Sequence, residues 1–258
     1  MAPAELRGLR ALDLNLFPAV RRNAGSAYGL HEVVIECPHH ESSLAALTTE
    51  QVRDLFAVYR DRLVALRADP RLAYVQVFKN HGAPAGASVE HAHSQVLGGT
   101  EVPREVRAEL AGANEYHEQY GRCVFCDLID HELAAGERVV LAGEHVVAVA
   151  AWAARFPYET WLLPRRHAAH YDRLSDAELT DVAAVTRTIL RRLSAAAGDP
   201  AYNILLHTAP PADEAPHYHW HWEILPRMTG IAGYELATGC YLNPMPPEEA
   251  AGRLREIL

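Results

Sequence analysis

Cysteine is scarce in this sequence, with four in 258 residues. So few thiols in so long a chain exclude a disulfide-built scaffold. Positive charge is also short, because 24 Lys and Arg face 33 Asp and Glu for a formal charge of −9. That balance argues against a nucleic-acid partner, which a basic surface would attract. No apolar run reaches membrane-spanning length, and the start "MAPAELRGLRALDLNLF" lacks the basic, apolar and small-residue succession of an export signal. These absences lead to the expectation of a cytoplasmic protein without a membrane partner. What is present is 49% hydrophobic residues, enough to bury one large core or two moderate ones.

The sequence also repeats itself. Setting "HEVVIECPHHESSLAALTTEQV" above "YETWLLPRRHAAHYDRLSDAEL" pairs Glu32 with Glu159, His40 with His167, Leu47 with Leu174 and Thr48 with Ser175 at one constant separation. Farther on, "AYVQVFKN" matches "AYNILLHT", then His91 falls opposite His217, His93 opposite His219, and Gln95 opposite His221. The chain reads as a tandem duplication. Each copy predicts a strand, then a helix opened by a capping residue (Thr48 or Ser175), a second strand, a loop rich in Gly, Ala and Pro, and a histidine-bearing strand. The expected class is α+β, an antiparallel sheet with packed helices in each half. Residues 1–99 make a first half, 100–122 a polar linker of helical character, and 123–258 a second half.

Strand alternation places His91, His93 and Gln95 on one face, and likewise His217, His219 and His221. Aligned polar groups on an apolar strand are costly to bury without a task. Imidazole serves two such tasks: it ligates metals and, neutral at pH 7 with an ordinary pKa of about 6.5, it is a nucleophile. Cys123 and Cys126 form a Cys-x-x-Cys ahead of the second half, and two more donors, His167 and His217, would complete a tetrahedral zinc site. Exposed histidines without a role remain the alternative for each. A redox reading of "CVFC" needs a strand feeding a helix around it, which the sequence does not supply.

The stretch "KNHGAPAGASVEHAHSQ" resembles the signature of the galactose-1-phosphate uridylyltransferase and ADP-glucose phosphorylase family, part of the histidine-triad superfamily. "NLFPAV", "CVFCDLI", "RFPYETWLLPRRH", "HYHWHWEILPR" and "IAGYELATGCYLNP" extend the resemblance from about Leu14 onward. It implies a duplicated histidine-triad fold and a double displacement in which His93 attacks the α-phosphorus of a nucleotide sugar and carries the nucleotidyl group. Gln95 would then donate to the phosphoryl oxygens, since an amide donates without titrating. Asn80 and Ser88 match phosphate contacts, Asn15 and Phe17 the base and ribose segment, and Glu235 a carboxylate that meets the hexose from a neighbouring subunit of a homodimer. Cys123, Cys126, His167 and His217 match a structural zinc site, with His219 and His221 left as buttresses of a half that has lost its own chemistry.

Two features depart from that family. Its members carry an earlier segment with a first Cys-x-x-Cys, completed by residues matching His40 and His91, so the first half here reads as N-terminally short with at most a partial second metal site. "LATGCYLNP" lacks the glutamine that follows the glutamate in galactose enzymes and resembles the phosphorylase-type ending. The expected activity is nucleotidyl exchange between a nucleotide sugar, UDP-hexose in the first instance, and a sugar 1-phosphate. An ADP-sugar or dinucleoside polyphosphate phosphorylase or hydrolase is the enzymatic alternative, and a noncatalytic nucleotide-binding protein the other.

Overall fold

The computed structural model describes residues 28–40 and 43–257; Asn15 and Phe17 lie outside the described residues. The first half opens with strand β1 (Gly29–Ile35), helix α1 (Thr49–Arg67), and strands β2 (Tyr74–His81) and β3 (His93–Gly99). Helices α2 (Arg104–Tyr120) and α3 (Val124–Ala135) follow. The second half continues with β4 (Val139–Ala142), β5 (Val146–Ala150), β6 (Thr160–Pro164), α4 (Asp176–Ala197), β7 (Tyr202–His207) and β8 (His221–Pro226). Two short helices, α5 (Gly233–Thr238) and α6 (Pro247–Arg255), close it. The expected α+β duplication is therefore present.

The two halves share one eight-stranded antiparallel sheet in the order β1-β3-β2-β7-β8-β6-β5-β4. Since β6, β7 and β8 are the repeats of β1, β2 and β3, the six strands from the edge strand β1 to β6 read as a palindrome about the β2–β7 pair. That seam runs from Phe78 opposite Leu205 to His81 opposite Tyr202.

Both long helices start as their sequences dictate. Thr48 Oγ1 accepts from the Gln51 N–H at 3.2 Å and Gln51 Oε1 accepts from the Thr48 N–H at 2.8 Å. Ser175 and Glu178 repeat this box on α4. Each cap satisfies helix-end donors that would otherwise be orphaned, about 1 kcal/mol apiece. The apolar stripes of α1 and α4 then cover one face of the sheet. Val75, Val77, Val96, Ile204, Leu206 and Ile224 meet Val52, Phe56, Leu63, Leu179, Val182 and Ile189 in a core that runs unbroken across the seam.

The opposite face is treated differently in the two halves. Over the second half, the segment expected as a polar linker is a helix with a buried side, and Ala113 of α2 joins Phe125 and Ile129 of α3 against Val147, Val149 and Leu163. Over the first half, Val33 is 57% and Ile35 62% exposed. Among the described residues nothing roofs this part of the sheet.

The expected histidine rows need correcting. Strand β3 begins at His93 and β8 at His221, so regular strand alternation covers His93 and Gln95 of the first triplet and His221 alone of the second. His91 is drawn to the end of β1, where its Nε2 sits 2.9 Å from the Cys37 carbonyl oxygen. In the second copy a turn closed by Tyr218 N–H to the Ala215 carbonyl rotates His217 out of line with His219. Among the described residues no helix is long and apolar enough to cross a membrane.

Candidate active site

A cleft of about 630 Å³ opens at the end of β2 and β3, lined by His93, Lys79, Asn80, His91, His40 and the loop through Ser88. The loop that forms its wall needs glycine at two points. Gly82 and Gly86 have φ of +79° and +88°, and a Cβ on Gly82 would lie 2.9 Å from that of Ala201. A side chain at either place would move the wall.

His93 is 8% exposed, and its Nδ1 lies 2.9 Å from the His91 carbonyl oxygen. A carbonyl only accepts, so Nδ1 carries the ring proton and Nε2 keeps its lone pair. The tautomer is thus the one a nucleophile requires. Beneath the strand, Lys79 Nζ donates to Glu36 Oε2 at 2.8 Å and to the His93 carbonyl at 3.3 Å, with the two side chains 3% and 0% exposed. Removing one member would strand a buried charge. Tyr59 and Ser94 hydroxyls meet at 2.6 Å on the same side. The backbone that carries His93 is therefore pinned from the core side.

Gln95 lies two residues on, with its Oε1 2.8 Å from His31 Nε2. That contact engages the amide oxygen and leaves the NH2 end to donate elsewhere. Ser88 is exposed on the cleft wall, while Asn80 is half-buried and its Oδ1 accepts from Asn203 Nδ2 at 2.8 Å. Glu235 is on α5 and does not line this cleft. Backbone donors, its own N–H and that of Ala232, hold its carboxyl below the ordinary value.

In the second half, Cys123, Cys126, His167 and His219 bring their donor atoms within 4.8 Å of one another. One expected metal residue is replaced: His219, expected as a buttress, is the fourth member of the group, and His217 instead turns its ring toward His117 at 6.3 Å. The turn before Tyr218 is the cause. Cys123 Sγ lies 3.3 Å from His219 Nδ1 and Cys126 Sγ 3.5 Å from His167 Nδ1. A tetrahedron with zinc–sulfur bonds of about 2.3 Å and zinc–nitrogen bonds of about 2.0–2.1 Å has edges of roughly 3.3–3.8 Å, so the spacing fits. Electrostatics agree. Burial and the neighbouring Cys123 push the Cys126 thiol up to about 12, and burial with His167 and His221 nearby pushes the His219 imidazole down to about 3. A thiol that resists ionising, Cys126, beside an imidazole that resists protonating, His219, is the donor chemistry a zinc ion would satisfy.

A second cluster was not anticipated from the sequence. Glu109 of α2 lies 2.7 Å from His207 Nδ1 and 3.2 Å from His221 Nε2, and these three form the other metal-capable group among the described residues. Burial opposes ionisation of Glu109, yet His221 and His207 hold its carboxyl well below the usual range. For His207 burial works against the proton and Glu109 with Glu223 prevails, raising its pKa. The missed signal was Glu109, which the polar composition of residues 100–122 hid as a solvent-facing charge. His40 and His91 stand edge to face at 5.5 Å and belong to neither metal-capable group. Cys37 is committed elsewhere, donating to the His39 carbonyl at 3.1 Å.

Residues 31–258 match the family described as a domain of unknown function, DUF4921. ADP-glucose phosphorylase of Arabidopsis thaliana is 34% identical over 96% of this chain and 74% of its own length. Galactose-1-phosphate uridylyltransferase of Thermotoga maritima is 28% identical over 88% of this chain and 74% of its own. Among solved structures, an ADP-glucose phosphorylase from Arabidopsis thaliana with bound ADP-glucose superposes with a TM-score of 0.84 at 34% identity, covering 90% of this chain and 73% of that one.

Proposed function

The chain belongs to the family that contains ADP-glucose phosphorylase and galactose-1-phosphate uridylyltransferase, and on this premise we propose that it transfers a nucleotidyl group from a nucleotide sugar through a covalent adduct on His93. One observation carries the reading: the His91 carbonyl fixes the proton of His93 on Nδ1, beside a cleft of nucleotide dimensions. The Nε2 lone pair attacks the α-phosphorus, and the bond to the departing sugar 1-phosphate breaks with its electron pair on that oxygen. The ring keeps its Nδ1 proton, so the imidazole of the adduct is positively charged beside the anionic phosphoryl group, and the His91 carbonyl dipole stabilises that ring charge. An acceptor oxygen then attacks the same phosphorus, and the nitrogen–phosphorus bond returns its pair to Nε2. Gln95, Asn80 and Ser88 supply donors to the phosphoryl oxygens in both steps.

The adenylyl group is the preferred cargo, with inorganic phosphate as acceptor. The higher identity to the ADP-glucose enzyme, 34% against 28%, favours this over uridylyl exchange between a UDP-hexose and a sugar 1-phosphate, the alternative. Incubation with labelled ADP-glucose and with labelled UDP-glucose, each without acceptor, tests the assignment. Acid-labile, base-stable label from ADP-glucose, discharged by phosphate, is expected. Faster labelling from UDP-glucose would restore the uridylyl reading, and no label from either would leave a nucleotide-binding protein.

A zinc ion is the proposed occupant of Cys123, Cys126, His167 and His219, acting as a cross-link between α3 and the strands behind it. The assembly is proposed to be a homodimer in which Glu235 meets the hexose in the partner's cleft. Exposed Tyr234, Leu236 and Leu242, at 53%, 77% and 67%, flank Glu235 and provide apolar surface for such a contact. Sedimentation should show the dimer, and Leu236→Asp should shift it to monomer with loss of hexose affinity. A fully active wild-type monomer would contradict the assignment of Glu235.

A further inference from the structure

Asn80 is one of the seam residues, with Lys79 and His81, that line the cleft. It is directly opposite Asn203 in the β2–β7 register. Asn203 belongs to the second half; in the sequence repeat it falls opposite Val75, but Val75 faces the core whereas Asn203, paired with Asn80, is on the other face, so the repeat does not explain an amide there. Its Nδ2 donates twice, to Asn80 Oδ1 at 2.8 Å and to the Ala85 carbonyl of the cleft loop at 2.9 Å.

The second of these bonds decides the polarity of both amides. A backbone carbonyl can only accept, so the end of Asn203 beside Ala85 must be its NH2. That NH2 then also faces Asn80, whose near atom must be its oxygen. The NH2 of Asn80 is consequently the end left to the cleft, and among the described residues it meets no protein acceptor; Gly86, whose Cβ would stand 3.8 Å from this nitrogen, leaves the space beside it open. A carboxamide free to turn would offer oxygen or NH2 with equal ease, and only the NH2 end is complementary to a phosphoryl group.

We infer that Asn203, supplied by the half without the nucleophile, is a positioning residue that locks the Asn80 carboxamide with its NH2 toward the transferring phosphoryl group. The link to catalysis rests on the proposed nucleotidyl transfer, whereas the lock itself is a property of the protein without substrate. Polarity passes from the Ala85 carbonyl to Asn203, from Asn203 to Asn80, and from Asn80 to the ligand. Asn203→Asp reverses the chain, because a carboxylate accepts where Asn203 donates and draws the Asn80 NH2 toward itself, leaving Asn80 Oδ1 against the phosphoryl oxygens.

Two measurements on the full chain test this. The first is the rate of label transfer from ADP-glucose in Asn203→Asp, Asn80→Ala and the double variant. Asn203→Asp should lower kcat/KM by about 10²-fold, as losing one donor to a reacting oxyanion does, yet cost less than threefold when Asn80 is already Ala. A structural role alone would cost the same factor in both backgrounds, and equal factors would overturn the inference. The second follows side-chain amide hydrogen exchange by NMR. In the wild type the Asn203 NH2 should exchange slowly and that of Asn80 quickly, and in Asn203→Asp the Asn80 NH2 should become protected. An Asn80 NH2 already protected in the wild type would overturn the lock whatever the kinetics. If the wild type takes no label at all, the transferase reading falls, and the exchange measurement still decides the lock.

Discussion

The same strand pair appears twice in this sheet, once facing a cleft and once under a roof. In the first half His93 and Gln95 stand on the face that also carries exposed Val33 and Ile35. In the second half α2 and α3 close over the equivalent face, and His221, at 0% exposure, is enclosed with Glu109 and His207. Both histidines that begin these strands bond through Nδ1 to the carbonyl two residues earlier, His93 at 2.9 Å and His221 at 3.2 Å. Backbone geometry therefore does not separate a nucleophile from a structural histidine here. Access does: Nε2 of His93 borders a cleft, whereas that of His221 is directed at a carboxylate.

The sharpest way to break the comparison is to exchange the roles. His93→Ala should reduce nucleotidyl labelling to background, because it removes the Nε2 lone pair that the Nδ1 bond to the His91 carbonyl leaves beside the cleft. His219→Ala, its counterpart in the repeat, should retain labelling in the protein that remains folded. Label on the second half, found by peptide mapping, would reverse the assignment of the halves. Next in size, Gln95→Ala should slow labelling by about 10²–10³ without ending it, the cost of one donor to the phosphoryl oxygens. A loss as complete as that of His93→Ala would give Gln95 a different role.

Cys126→Ser bears on the roofed half. It should release one zinc per chain, measured by elemental analysis, and lower the unfolding temperature, because the binding energy of such a site is folding energy. The folded fraction should still take label. Full zinc retention would remove Cys126 from the ligand set. The smallest expected effect is on pH dependence. In the unfolded chain His219 takes a proton near its ordinary 6.5, but in the folded chain only near 3. Between these values the unfolded state binds more protons, so stability is fully present above pH 6.5 and declines as pH falls toward 3. In chelator-treated protein the urea midpoint should therefore fall between pH 7 and pH 5, and His219→Gln should flatten that slope.

How much of this was legible beforehand differs by residue. Thr48 and Ser175 announced their helices because a capping box is a local pattern, complete within four residues. The duplication and His93 were legible because the repeat keeps its spacing. The sequence points to His217 rather than His219 as the fourth metal-capable residue, because the turn closed by the Tyr218 N–H to Ala215 carbonyl hydrogen bond is not legible in it. Glu109 was missed because its partners, His207 and His221, are remote in sequence. The single sheet escaped notice for the same reason, as its seam pairs residues more than a hundred positions apart.

The palindromic strand order about β2 and β7 is what a two-fold dimer of half-length chains would show at its interface, with the two copies now joined by α2 and α3. A symmetric dimer is bound by its single gene, and any substitution made for one site is imposed on the other. Tethering dissolves that constraint. Position 95 is an amide where its repeat partner, position 221, is an imidazole. Once the two sides of the seam were free to mutate independently, one could specialise in chemistry and the other in holding it still.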